Sequence, residues 1–240
     1  MPRFFCSQPL LVGDTVSLPD AVAHHAHVLR LQPGDPLTLF NGDGAEYLAE
    51  LVAVEKRRAS AAVRARVERD VELPYALTLA QALPEASKMD WIIEKAVEMG
   101  VAAIQPLAAQ RCVVRLSGER AERRQAHWQG VIEAAAEQSG RNRLAKLAPV
   151  ESYHQWITQT DLHKRVLLSP RGGQSLAAWA CHQPPQALTL IIGPEGGLTA
   201  QEEDAAIARG ALALGMGARI LRTETAGIAA AATLAACWDR

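Results

Sequence analysis

Leu188-Thr189-Leu190-Ile191-Ile192-Gly193-Pro194-Glu195-Gly196-Gly197-Leu198-Thr199-Ala200-Gln201-Glu202 is the stretch that decides the fold. Leu188–Ile192 is a short unbroken apolar run closed by glycine and proline, which reads as a buried strand. Gly193 to Gly197 form a glycine loop. Thr199 with Glu202 three residues on has capping-box spacing, so a helix opens directly behind the loop. A buried strand, a tight loop and a capped helix make one βα unit of a parallel sheet.

The same grammar extends in both directions. Downstream, Ala211–Leu214 reads as a strand, Leu214-Gly215-Met216-Gly217-Ala218-Arg219 as a loop, and an alanine-rich helix follows Thr225. Upstream, Val166–Leu168 reads as a strand running into Ser169-Pro170-Arg171-Gly172-Gly173. Leu77–Leu83 and Ala102–Leu107 are further strands. Between them Ser87, with Asp90 three residues on, is the expected N-cap of a helix whose Ile92, Ile93, Ala96, Val97 and Met99 keep a helical period until Gly100. A long helix starts at Ser117, carries Trp128, Val131, Ile132 and Ala135 on one face, and ends around Gly140. Alternating elements of these lengths predict an α/β domain with a parallel sheet covered by helices.

The character changes near Val71-Glu72-Leu73-Pro74. Before it, Thr15–Leu18, Leu37–Phe40, Tyr47–Val54 and Ala61–Val67 have strand character, and Asp20 to Leu31 is one short helix. Pro33-Gly34-Asp35 and Asn41-Gly42-Asp43-Gly44 are turn signals, the second a hairpin tip. The expected organisation is a small β-rich barrel-like domain over residues 1–72 and an α/β domain over residues 73–240.

Composition bounds the rest. Of 240 residues 49% are hydrophobic and 21% charged, and 25 Lys+Arg against 26 Asp+Glu leave a formal charge of −1. That balance excludes indiscriminate charge-driven nucleic-acid binding, though a basic face offset by acidic helices remains compatible with it. Cys6, Cys112, Cys181 and Cys237 show neither disulfide nor zinc spacing, and the histidines are dispersed, so no metal is indicated. The N-terminus lacks a signal-peptide pattern, and the apolar stretch Ala226–Trp238 is too short to span a bilayer. A cytoplasmic protein with no membrane partner is expected.

In an open parallel sheet, ligands bind where loops leave the carboxyl ends of the strands. Three glycine-bearing loops, 169–173, 193–197 and 214–219, belong to consecutive strand ends. Taken singly, each is also readable as an ordinary turn. None matches G-x-G-x-x-G or a Walker A sequence, so dinucleotide and triphosphate sites have no support. Backbone-rich apolar pockets suit an adenine and a sulfonium better than a polyphosphate. The residues alone support a small-ligand site.

The segments LIIGPEGGLTAQEE and LG-x-x-ARILRTETAGIAA resemble the cofactor-binding signature of the trefoil-knotted SPOUT methyltransferases, most closely the ribosomal RNA small-subunit uridine N3-methyltransferases (RsmE family). Ser87–Val101 resembles that family's first catalytic-domain helix, and Glu137-Gln138-Ser139-Gly140-Arg141-Asn142-Arg143 its E-Q-[CS]-x-R motif. His24 and Val28-Leu29-Arg30-Leu31 before Pro33-Gly34-Asp35 resemble its PUA-like RNA-binding domain. One departure is Met216-Gly217-Ala218-Arg219, where family members commonly carry Leu-Gly-Pro-Arg.

The resemblance implies a C-terminal trefoil knot, a homodimer, S-adenosylmethionine as cofactor, and methylation of N3 of a uridine in 16S ribosomal RNA, free or within the small ribosomal subunit. It implies a cofactor site drawn from Leu168, Ser169, Pro170, Ile192, Gly193, Gly196, Gly197, Leu214, Gly215, Met216, Gly217, Ile220, Leu221, Thr223, Thr225 and Ala226. Uracil N3 carries a proton, so the reaction needs a base or donors that stabilise the anion. Glu195 and Glu224 are the candidate bases and Arg219 and Arg222 the candidate donors; equally, Glu195 can cap the next helix and Glu224 pair with an arginine. RNA contacts are expected from His24, Arg30, Arg111, Arg115, Arg141, Asn142 and Arg143. Competing readings are a related enzyme acting on tRNA or on a ribose 2′-oxygen, and a non-catalytic RNA-binding factor in ribosome assembly.

Overall fold

The computed structural model describes residues 1–85 and 87–239. They fall into two compact units, Met1–Glu72 with Ala136–Leu144, and Leu73–Ala135 with the chain from Ala145 onward.

The first unit contains β1 (Arg3–Phe5), β2 (Thr15–Ser17), α1 (Asp20–Val28), β3 (Pro36–Phe40), β4 (Ala45–Val54) and β5 (Ala59–Glu68). The sheet order is β1-β3-β4-β5-β2, with β1 parallel to β3 and the other pairs antiparallel. Ala45, Tyr47, Ala49 and Leu51 alternate into one core with Phe4, Leu18, Val22, Leu37 and Leu39. The β3–β4 tip is tied by its own side chains: Asp43 accepts from the Ala45 N–H at 2.8 Å and the Tyr47 hydroxyl at 2.6 Å. β1 was not expected, because three residues are too few to show a period.

Helix α1 ends three residues before the expected Leu31. Arg30 takes a left-handed φ of 57°, and the Arg30 and Leu31 N–H groups turn back onto the His27 and Ala26 carbonyls at 3.0 and 3.1 Å. This is a Schellman stop with arginine where glycine is usual, so the sequence carries no glycine signal for it.

The segment 136–144 is built into this unit by named bonds. The Phe5 N–H donates to Glu137 at 2.8 Å, and Arg3 to the Asn142 side-chain oxygen at 2.7 Å. Asn142 donates to the Arg69 carbonyl at 2.9 Å.

The second unit contains β6 (Leu77–Ala82), α2 (Lys88–Glu98), β7 (Ala103–Ala108), most of α3 (Gly118–Ser139), β8 (Lys146–Leu147), β9 (Glu151–Ser152), α4 (Tyr153–Thr158) and β10 (Lys164–Leu168). It continues with β11 (Gln174–Ser175), α5 (Leu176–Ala180), β12 (Leu188–Ile192), α6 (Ala200–Ala208), β13 (Leu212–Gly215) and α7 (Thr223–Trp238). Every pair in the sheet β11-β13-β10-β12-β6-β7-β8 is parallel, and β9 adds to β7. All five residues of β12 are buried, as a strand covered on both faces requires.

The capping box of α6 forms as expected, Thr199 Oγ1 accepting from the Glu202 N–H and Glu202 accepting from the Thr199 N–H at 2.8 Å. That of α2 does not. The Ser87 side chain makes no capping bond, the Asp90 N–H going to the Ser87 carbonyl at 3.0 Å, and the Asp90 carboxylate does not reach back because Trp128 Nε1 and His127 Nε2 hold it, each at 3.0 Å. Helices α4 and α5 and strands β8, β9 and β11 escape the sequence reading, being too short to show periodicity.

Candidate functional site

The carboxyl ends of the adjacent strands β10 and β12 open into a cavity of about 540 Å³. Its wall comprises Leu168 at the end of β10 and Pro170 after it, Ile192 at the end of β12 and Gly193 through Leu198 after it, Ile220 through Glu224, Ala226, Lys88 and Glu203. A volume between roughly 300 and 1,000 Å³ is that of a small-molecule site.

The 193–197 loop is rigid for identifiable reasons. A Cβ on Gly193 would stand 2.9 Å from the Leu198 nitrogen, so only glycine lets the loop fold back on itself. Arg111 spans it from outside, donating to the Gly196 carbonyl at 2.9 Å. The loop is joined to the start of α7 by a buried relay. Gln81 Nε2 donates to Thr223 Oγ1 at 2.9 Å, and Thr223 Oγ1 donates to the Gly193 carbonyl at 2.6 Å. Within α7, a Cβ on Gly227 would lie 3.1 Å from Leu79 of β6 and 3.5 Å from Ile192 of β12, so glycine sets how near the helix comes to the sheet.

Three carboxylates reach the wall in different electrostatic states. Glu195 accepts from Lys88 Nζ at 2.7 Å and from the Glu85 N–H at 3.0 Å. Partial burial pushes its carboxyl up, but these donors outweigh it and hold the group below the usual carboxylate value. The same contact raises the Lys88 ammonium above its ordinary value. Glu203 is buried and accepts from Ser169 Oγ at 3.0 Å and Arg171 at 3.3 Å, which fastens the 169–173 loop. Glu224 differs: Arg222 approaches only its Oε1, at 4.0 Å, and its Oε2 is buried without a hydrogen-bond donor among the described residues.

Of the residues expected to hold a cofactor, the wall brings together Leu168, Pro170, Ile192, Gly193, Gly196, Gly197, Ile220, Leu221, Thr223 and Ala226, and of the expected catalytic set Glu195, Arg222 and Glu224. Ser169, Leu214, Gly215, Met216, Gly217, Thr225 and Arg219 are not on it. β13 lies beyond β10, on the side away from β12, and the loop after it joins the wall only at Ile220. Ser169 is instead buried, its N–H donating to the Leu214 carbonyl at 3.0 Å. Lys88 and Glu203 were missed, since each sits in the first turn of a helix and reads there as ordinary helix-start chemistry.

The expected RNA contacts separate just as clearly. Arg141 and Asn142 are only 3% and 2% exposed, and Arg141 forms a forked ion pair with Glu72, so both are structural rather than presented to a ligand. Arg111 is engaged with the 193–197 loop, and Arg115 donates to the Gln110 carbonyl at 3.1 Å. His24, Arg30 and Arg143 have exposed positions in the first unit.

The chain, with a β-rich unit and an α/β unit that carries a ligand-sized cavity at its strand ends, matches two known family models. The RNA methyltransferase domain covers residues 71–235 and the RNA methyltransferase PUA domain residues 18–63. The protein is thus of the RNA methyltransferase class. A ribosomal RNA small subunit methyltransferase E from Bacillus subtilis is 34% identical, over 94% of this chain and 93% of its own. The crystal structure of a Neisseria gonorrhoeae ribosomal RNA small subunit methyltransferase E bound to S-adenosyl methionine superposes with a TM-score of 0.92 at 39% identity, covering 99% of this chain and 98% of that one. A putative methyltransferase from Legionella pneumophila in complex with the bound cofactor also gives 0.92, at 34% identity over 98% and 96%. This chain belongs to the ribosomal RNA small subunit methyltransferase E family.

Proposed function

We propose that the protein binds S-adenosylmethionine in the β10–β12 cavity and methylates N3 of a uridine in 16S ribosomal RNA. Glu224 carries this reading: it lines the cavity, its Oε2 is a buried acceptor without a hydrogen-bond donor among the described residues, and turning that carboxylate toward the cavity would offer it to the N3–H donor.

The wall fits the cofactor. Its loops supply backbone groups and apolar side chains for an adenine, and its carboxylates favour a cationic sulfonium. When bound, S-adenosylmethionine supplies an electrophilic methyl group. Leu168, Pro170, Ile192, Gly193, Gly196, Gly197, Ile220, Leu221, Thr223 and Ala226 would hold it, while Ser169 with Glu203 secures the rim behind them. Glu224 would accept the N3 proton, leaving the nitrogen lone pair free to act as the nucleophile. The neighbouring Arg222 guanidinium stabilises the negative charge that develops on the uracil oxygens. Glu195, committed to Lys88, positions the loop. The Gln81–Thr223–Gly193 relay keeps the α7 terminus and the loop at one spacing, which supplies alignment.

His24, Arg30 and Arg143 of the first unit fit contacts to RNA phosphates, which set register while the target base is unpaired. The close seat of Gly227 on β6 and β12 fits a knotted C-terminal segment. We further read the protein as a cytoplasmic homodimer. No helix of the described residues is long and apolar enough to cross a membrane.

Calorimetry with S-adenosylmethionine tests the class. One saturable site, weakened by substitution of Thr223, supports it; no binding sinks the enzyme reading in favour of a non-catalytic RNA-binding factor.

A further inference from the structure

Behind the cavity, the far end of α7 brings two thiols together. Cys181, the C-cap of α5, is exposed, and Cys237, in the last turn of α7, is half-buried. Their sulfurs stand 3.5 Å apart. The spacing is held by what flanks them. Trp238 is buried and donates through Nε1 to the Ala180 carbonyl at 2.9 Å and to the Gln183 carbonyl at 3.1 Å, on either side of Cys181. Its ring meets Trp179 at 5.8 Å and Tyr75 at 5.0 Å, both edge-on. These contacts fix α7 against α5 whether or not the sulfurs react.

The other two cysteines contrast with this pair. Cys6 and Cys112 are buried, and burial pushes both thiols up, which keeps them protonated and unreactive.

We propose that Cys181 and Cys237 are a reversible oxidation site that closes into an intramolecular disulfide, clamping the end of α7 to α5. A disulfide bond is about 2.05 Å long, so the sulfurs need to approach by only about 1.5 Å, within the reach of small side-chain rotations. The oxidant is a low-molecular-weight disulfide. The exposed Cys181 thiolate attacks one of its sulfurs and expels the first small thiol. Cys237 then attacks the mixed disulfide at Cys181 and expels the second. Two protein thiols lose two electrons and two protons, and one small disulfide becomes two thiols. The closed ring spans residues 181 to 237, so it encloses β12, the 193–197 loop and the start of α7. Cross-linking restricts the unfolded chain over that whole stretch. The inference stands independently of the methyl-transfer reading.

The test uses the full chain under native conditions with oxidised glutathione, followed by alkylation and non-reducing peptide mapping. The expected result is loss of alkylation at Cys181 and Cys237 alone, one peptide linking them with two hydrogens fewer, and full reversal by dithiothreitol. The unfolding midpoint rises in the oxidised protein. Cys237→Ser stops the reaction at a glutathione adduct on Cys181, and its midpoint does not rise. A glutathione adduct persisting on Cys181 of the unsubstituted protein, a link between two chains, or a link to Cys6 or Cys112 overturns the proposal.

Discussion

At the residue scale, the two glutamates offered by the sequence as bases are told apart by their neighbours. Glu195 has an ammonium and a backbone N–H on one oxygen, whereas Glu224 keeps an oxygen with no donor among the described residues. Glu224→Gln is expected to lower kcat on the order of 10²- to 10⁴-fold with cofactor affinity little changed, measured by single-turnover methyl transfer beside calorimetry. Equal losses in affinity would make Glu224 a binding group instead. For Glu195 the folded carboxyl lies below its unfolded value, so its contribution is present above the unfolded value and is lost as pH falls through the folded one. The loss therefore sets in as pH falls below the ordinary carboxylate value and is complete below the folded one, and Glu195→Gln flattens that limb of the stability profile; an unchanged limb would contradict it. No pattern in a single sequence distinguishes two glutamates three residues or fewer from a glycine or a threonine. The difference lies in Lys88 and Glu85, more than a hundred positions away from Glu195.

At the scale of elements, legibility tracked length and burial. The strand expected at Leu188–Ile192 has the same bounds in the structure, because a fully buried strand is a pure apolar run. The hairpin at Asn41–Gly44 and the box on α6 rest on local side-chain chemistry and were also legible. What depended on tertiary competition was not. The α2 box yields to Trp128 and His127, and α1 stops on a left-handed arginine. Holding arginine there costs about 1 kcal/mol. Arg30→Gly is therefore expected to stabilise the first unit by about that amount while weakening RNA affinity, read by chemical denaturation and by filter binding; unchanged affinity would remove Arg30 from the RNA contacts. Thr223 is the hinge pin between two elements. Thr223→Val removes a buried donor and acceptor and is expected to cost about 1–3 kcal/mol of stability and to weaken cofactor binding; a stability loss alone would limit the relay to folding.

At the scale of the molecule, the near-zero net charge masked the division of labour among its arginines. Arg141 is buried against Glu72, and Arg111, though exposed, braces the 193–197 loop, so two of the cations that suggested RNA already have partners within the fold. Sequence motifs marked those arginines as important without revealing for what. The cavity was more legible, because glycine loops after parallel strands are placed together by the sheet itself; only the β13 loop, displaced by the position of that strand, fell largely outside it. In the proposed function this cavity delivers a methyl group to a uracil nitrogen. The most direct test is incubation with labelled S-adenosylmethionine and small-subunit ribosomal RNA or particles lacking the modification, followed by nucleoside analysis of the labelled position. The expected product is 3-methyluridine at a single site; label on a ribose 2′-oxygen, or in tRNA only, would contradict the proposed function.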